Sequence, residues 1–213
     1  EYIVLEEEHA AIKPKNISFE EAASIPLAAL TAYQSLFDAA KLQSGENVLI
    51  HAAAGGVGGF GVQLAKDRGA TVWGTAIGHS SEYVKDLGGD RVVDYSQVDF
   101  REAVRSEYPD GVDVVFDCVG GEVLQKSTDI VKKRGRLISI VDDPAGLDRA
   151  DIYSDFVFVA TNSSQIAELA RMLEQGRLKT HLSQVFPFGL EEARRAHELS
   201  ESGRTRGKMV LVL

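Results

Sequence analysis

One stretch constrains the fold more than any other: Val48-Leu-Ile-His-Ala-Ala-Ala-Gly-Gly-Val-Gly-Gly-Phe-Gly61. A short β run, Asn47–His51, enters it, and a helical pattern leaves it with Val57, Phe60, Leu64 and Ala65 on one face. Glycines at this junction let the backbone turn tightly and approach a bulky anion closely. Amides at the start of the following helix lack intrahelical partners and face that anion. A G-x-G-x-x-G match has meaning only in this strand–turn–helix setting, which the chain supplies. Two registers fit, Ala53-x-Gly55-x-x-Gly58 and Gly56-x-Gly58-x-x-Gly61. The first is preferred because the turn then begins where the strand ends.

The residues beyond continue the alternation. Strands are expected at Thr71–Ala76, Arg91–Tyr95, Val112–Cys118 and Arg136–Val141, with helices at Gly55–Arg68, Ser81–Leu87, Phe100–Glu107 and Glu122–Lys132. Val112–Cys118 is nearly all apolar, as in a parallel strand buried on both faces. Repeated β–α–β units imply an α/β fold, a Rossmann-type doubly wound parallel sheet with right-handed crossovers. Before it, Tyr2–Leu5 reads as a short strand. Ser18-Phe-Glu-Glu21 is a capping box opening a helical region through Ala40, split at Pro26. After it come a strand at Phe156–Ala160, helices at Gln165–Gln175 and Leu190–Ser202, and strands at Val185–Phe186 and Lys208–Leu213. Asp142–Asp151 is a polar surface loop.

In the dinucleotide fold an NAD site places Asp or Glu about 20 residues past the glycines, on the ribose 2′-OH. Thr71–Ser81 contains neither; Thr75-Ala-Ile-Gly-His-Ser-Ser81 stands there instead. Hydroxyls and a histidine suit a 2′-phosphate, which favours NADP(H) over NAD, although no Lys or Arg lies in the loop. The alternative role for Ser80 and Ser81 is to cap the next helix.

Charge and cysteine content narrow the partners. The 213-residue chain has a formal net charge of -9, which opposes general nucleic-acid or membrane-surface binding. No apolar run approaches the ~20 residues of a membrane span, and the first residues show no secretory signal pattern. Cys118 is the single cysteine, so no multi-cysteine zinc site and no intrachain disulfide is available; a reducing, cytoplasmic setting is expected.

Ser24–Lys66, Asp113–Ser127 and the ending His197–Leu213 closely resemble the zinc-independent medium-chain dehydrogenases/reductases of the quinone oxidoreductase group, and the likeness runs from Glu1 to Leu213. That family joins a GroES-like catalytic lobe to a Rossmann lobe. The resemblance implies remnants of the catalytic lobe at residues 1–17, the dinucleotide-binding domain at 18–183, and a return segment toward the catalytic lobe at 184–213. Most of the catalytic lobe is then absent from this chain, leaving the catalytic residues unassigned.

The activity implied is hydride transfer from NADPH to a quinone or α,β-unsaturated carbonyl, without metal. The alternatives are a non-catalytic NADPH-binding module and an enoyl-reductase part of a larger synthase. By motif, Thr31 would contact cofactor phosphate or ribose, and Gly55, Gly56, Val57 and Gly58 would cradle pyrophosphate. His79, Ser80 and Ser81 would meet the 2′-phosphate, with Tyr95 at the adenosine end. Val119, Ile140 and Val141 would line the nicotinamide pocket. Thr31 also fits an ordinary helix position, Tyr95 a half-buried aromatic, and Ile140 and Val141 sheet core. A homodimer through the edge of the Rossmann sheet is expected, with Phe156–Ala160 as the edge.

Overall fold

A computed structural model describes residues 2–213; Glu1, the first residue of the likeness and of the expected 1–17 segment, lies outside them. The chain forms two compact units. One is contiguous, residues 31–158, and the other combines the flanking segments, up to Leu30 and from Val159 onward.

The contiguous unit is built on six parallel strands: β1 (Asn47–Ile50), β2 (Thr71–Ala76), β3 (Arg91–Asp94), β4 (Val112–Asp117), β5 (Val131–Ser139) and β6 (Tyr153–Phe156). Their order is β3-β2-β1-β4-β5-β6. The order reverses between β1 and β4, and that crevice, outside the carboxyl ends of the strands, is where open α/β sheets bind ligands. Side-chain alternation dresses both faces. Leu49, Trp73, Val115 and Leu137 point to one face and pack with residues of α5 (Phe100–Glu107) and α6 (Gly121–Ser127). On the other, α3 (Gly58–Asp67) lies so close that a β-carbon on Gly61 would stand 3.3 Å from the Phe116 ring and 3.5 Å from Ile50. Every residue of β4 is buried, as its apolar run demands.

Among the boundaries that differ from the sequence reading, three have a clear physical cause. α3 starts at Gly58 rather than Gly55, because residues 51–57 are spent on a turn. β5 begins at Val131, inside the expected helix Glu122–Lys132. Val131 pairs with Val112, and Lys132 forms an ion pair with Asp113. Arg134, at φ 63°, then kinks the strand, so Lys-Lys-Arg-Gly shows no apolar alternation that would reveal it. The last strand is Tyr153–Phe156, not Phe156–Ala160. Its register on β5 runs from Arg136↔Tyr153 to Ser139↔Phe156, and Val157 N adds a last bond to the Ser139 carbonyl at 2.9 Å where β5 ends.

The other unit contains α1 (Phe19–Ala23), the first half of α2 (Pro26–Tyr33), α7 (Ser163–Glu174), β7 (Leu182–Pro187), α8 (Leu190–Glu201) and β8 (Lys208–Val212). The capping box forms as written: Glu21 N donates to Ser18 Oγ at 3.1 Å and Ser18 N to Glu21 Oε2 at 2.8 Å. Pro26 opens α2, where its missing N–H costs nothing. β7 and β8 pair in parallel. Asn16 Nδ2 donates to the Leu173 carbonyl at 3.1 Å, and Thr180 Oγ1 to Glu21 Oε1 at 3.4 Å. These bonds build Ser18–Leu30 and α7 into one unit with the terminal segments, and the compact units divide at 30/31 and 158/159. Tyr2–Leu5 is exposed and forms no strand. α2 runs into a π-helical stretch, Gln34–Ala39, before β1.

Candidate functional site

Parallel strands bring the turns that follow them to one edge of the sheet. The first of these, between β1 and α3, is the glycine turn. Ala52 occupies the left-handed region at φ 50°, its N–H donates to Thr75 Oγ1 at 3.3 Å, and Ala53 N donates to the Thr75 carbonyl at 2.9 Å. Gly55 N closes on the Ala52 carbonyl at 2.8 Å. A β-carbon on Gly58 would collide with the Ala52 carbonyl and stand 3.0 Å from Ala53 Cα. Gly58 therefore fills the third-glycine role of close helix approach, and the structure adopts the register Ala53-x-Gly55-x-x-Gly58. At ten residues, α3 is long enough to carry a helix dipole, and it is continuous with the turn, Gly59 N donating to the Gly55 carbonyl and Gly61 N to the Val57 carbonyl, each at 2.9 Å.

Beneath the turn lies a buried polar cluster. His51, fully buried, bridges Thr75 Oγ1 (3.1 Å from Nδ1) and Ser127 Oγ (2.9 Å from Nε2), and its ring stands edge-on to Phe100 at 4.7 Å. Ser127 Oγ donates in turn to the Val123 carbonyl at 2.7 Å. Burial holds the imidazole pKa down at about 3, so the ring is neutral and serves as a hydrogen-bonded strut rather than a base.

After β2, a 3₁₀ turn (Gly78–Ser80) leads into α4 (Ser81–Asp86). His79 is exposed, Ser81 half-buried and Ser80 buried. Strand register sets Asp94 beside Ala76, so the Asp94 carboxylate reaches this turn from the end of β3. Ser96 donates to it from Oγ (2.7 Å) and N (3.0 Å), which holds the carboxyl below its usual range. Tyr95 follows, half-exposed.

The loops after β4 and β5 are tied together by Asp117. This fully buried carboxylate accepts from the amides of Val119 (3.1 Å) and Gly120 (3.0 Å) and from Ser139 Oγ (2.8 Å). Ser139 Oγ accepts from the amides of Val141 and Asp142, and Asp142 Oδ2 accepts from Gly121 N at 2.6 Å. Val119 and Val141 are thereby held half-exposed, with Ile140 partly buried between the loops. Cys118, expected inside the strand, comes just after it; burial and the neighbouring Asp117 push its thiol pKa up, away from the reactive thiolate.

The structure thus gathers Gly55, Gly56, Val57, Gly58, His79, Ser80, Ser81, Tyr95, Val119, Ile140 and Val141 on the turns and helix starts that follow the strands at one sheet edge. Thr31 lies buried on α2. Asp94, Thr75 and Ser139 were missed by the sequence reading. In a strand a polar residue is a weak signal, and the contacts that place these three at the site, Asp94 on Gly78, Thr75 on His51 and Ser139 on Asp117, join different strands or the turns after them. Among the described residues, one group has ligand atoms placed for a metal: Glu6, Glu8 and His9, all exposed and remote in sequence from Cys118.

Residues 87–211 match the family model described as "Zinc-binding dehydrogenase". The chain is 36% identical over 217 residues to the 2-methylene-furan-3-one reductase of Solanum lycopersicum, covering 99% of this chain and 51% of that one. The chain belongs to the medium-chain dehydrogenase/reductase family, of the quinone oxidoreductase type. Among solved structures it resembles the quinone oxidoreductase of Coxiella burnetii, at TM-score 0.87 and 35% identity, over 94% of this chain and 63% of that one. It also resembles the Escherichia coli quinone oxidoreductase complexed with NADPH, at TM-score 0.85 and 30% identity, over 95% and 68%. The chain therefore spans between about half and two thirds of the length of these three relatives. Among the described residues no helix is long and apolar enough to cross a membrane.

Proposed function

We propose that this chain is the NADP(H)-binding part of an oxidoreductase that delivers hydride to a quinone or an α,β-unsaturated carbonyl. The observation that carries the reading is the turn at the switch point of the sheet. There Gly58 brings the start of α3 within touching distance of Ala52, so that Gly55, Gly56, Val57 and Gly58 form a cradle in which Val57 alone carries a side chain and whose backbone suits a pyrophosphate. When bound, the dinucleotide supplies the hydride. The chain's residues hold and orient it. His79, Ser80 and Ser81 take the 2′-phosphate, Tyr95 flanks the adenosine, and Thr31 contacts phosphate or ribose. Val119, Ile140 and Val141, fixed by the Asp117–Ser139 network, wall the nicotinamide and exclude water from one side. The similar quinone oxidoreductase complexed with NADPH supports the choice of dinucleotide.

The segments 1–17 and 184–213 are the parts of this chain assigned to the catalytic lobe. Large apolar side chains stand exposed there, among them Tyr2, Ile12, Phe188 and Leu213, as expected of surfaces that pack against further protein. The reaction uses no zinc in this reading, and a reducing compartment such as the cytoplasm suits the single thiol. The homodimer is formed by β6, an edge strand with Tyr153 and Phe156 exposed.

Titration of NADPH fluorescence with the 213-residue chain tests the reading. Saturable binding is expected, with Gly58→Val weakening it at least tenfold by forcing α3 away from the Ala52–Ala53 backbone. Absence of saturable binding overturns the nicotinamide assignment, and a clear preference for NADH overturns the 2′-phosphate assignment.

A further inference from the structure

The turn after β2 contains no carboxylate of its own, yet one stands beside it. Asp94 is paired in register with Ala76, the last residue of β2. A β-carbon built on Gly78 would lie 2.5 Å from Asp94 Oδ2, so this oxygen rests directly on the backbone two residues past the strand end. In a dinucleotide fold that is the place of the ribose 2′ position. The carboxylate is fixed rather than free to swing away, because Ser96 N and Oγ both donate to Oδ1. It is ionised at neutral pH, since these donors hold its pKa below the ordinary value. Thr71–Val84 offers no Lys or Arg to offset it, and His79 is the basic group beside it.

We infer that Asp94 limits this chain's discrimination between NADPH and NADH: its fixed negative charge beside the turn that meets the ribose 2′ position opposes a 2′-phosphate while leaving a 2′-hydroxyl an acceptor. The inference rests on the NADP(H) reading above and assigns to a residue from the third strand a task that the fold ordinarily gives to the end of the second. Two negative groups a few ångströms apart repel even in high dielectric, and the repulsion is screened by salt. Preference for NADPH is then the outcome of the favourable contacts of His79, Ser80 and Ser81 working against Asp94.

The test is Asp94→Asn in the 213-residue chain, with dissociation constants of NADPH and NADH measured by nicotinamide fluorescence. Asparagine keeps the oxygen that accepts from Ser96 N and Oγ and removes the charge, its Nδ2 taking the place of the oxygen that faces the Gly78 backbone. Asp86→Asn, on the exposed end of α4, removes the same charge away from the turn. The expected result is a shift of the NADH/NADPH dissociation-constant ratio toward NADPH by about five- to tenfold in D94N, shrinking in 1 M salt, with D86N shifting it less than twofold. An unchanged ratio in D94N overturns the inference, as does equal weakening of both dinucleotides, which marks a structural role. Failure of the parent chain to bind either dinucleotide overturns the cofactor reading itself, and is read before any variant is compared.

Discussion

Ala52 adopts the left-handed backbone that suits glycine, at φ 50°, in the middle of a glycine-rich turn. Left-handed geometry costs a residue with a β-carbon roughly 1–2 kcal/mol, and such strain persists only where surrounding bonds over-determine it. Here the Thr75 hydroxyl and the closing bond from Gly55 do so. Ala52→Gly is therefore expected to stabilise the fold by up to about 1 kcal/mol, the relief being partly offset by the entropy of an unfolded glycine; urea denaturation checks it, and a loss of stability would count against the strain. Asp117 is the opposite case, a buried charge satisfied by two amides and a hydroxyl. Asp117→Ala strands those donors and is expected to cost about 2–4 kcal/mol in the same assay. At this scale the sequence disclosed the glycines and the missing acid of Thr71–Ser81. It hid Asp94, because strand register, and not sequence distance, brings that carboxylate to Gly78.

Elements were legible where periodicity was strong and obscure where pairing decided. β2 and α5 lie where their residues predict, the first a β-branched and aromatic run, the second an amphipathic turn series capped by Asp99, whose side chain accepts from Arg101 N. β5 and β6 resisted reading, since their limits are set by partners: Val112 for the start of one, Ser139 for the end of the other. Between elements, His51 joins β1 to β2 and α6 through Thr75 and Ser127. Its pKa is about 3 folded, against 6.5 for the free side chain. The unfolded chain therefore takes up a proton that the native chain refuses. The stability held by the neutral ring is whole above pH 6.5 and is lost as pH falls toward 3, by about 1.4 kcal/mol per pH unit. Comparing the pH dependence of unfolding for the parent and His51→Gln isolates this from the carboxylates. The parent is expected to lose stability more steeply between pH 6.5 and 4.5 by close to one proton; parallel curves would refute the strut.

For the whole molecule, the repeated β–α–β pattern made the sheet and its binding edge readable, whereas the division into two units was not, because the hydrogen bonds joining Asn16 to Leu173 and Glu21 to Thr180 span about 160 residues and leave no local trace. The proposed dimer belongs to this scale. Phe156→Lys with Ser154→Pro on β6 places a charge and a missing donor on the sheet edge, and sedimentation is expected to show the parent as a dimer and the variant as a monomer; a monomeric parent would sink it. The interleaving of the units also orders events during synthesis. Residues 31–158 are contiguous, so the sheet and its glycine turn have all their partners once Phe158 has left the ribosome. The flanking unit has to wait, for β7 finds its partner β8 only in residues 208–212. A nascent chain would then be competent to capture its dinucleotide before it is complete, and the ligand, binding only the folded sheet, would act as a brake on unfolding while the remaining residues emerge.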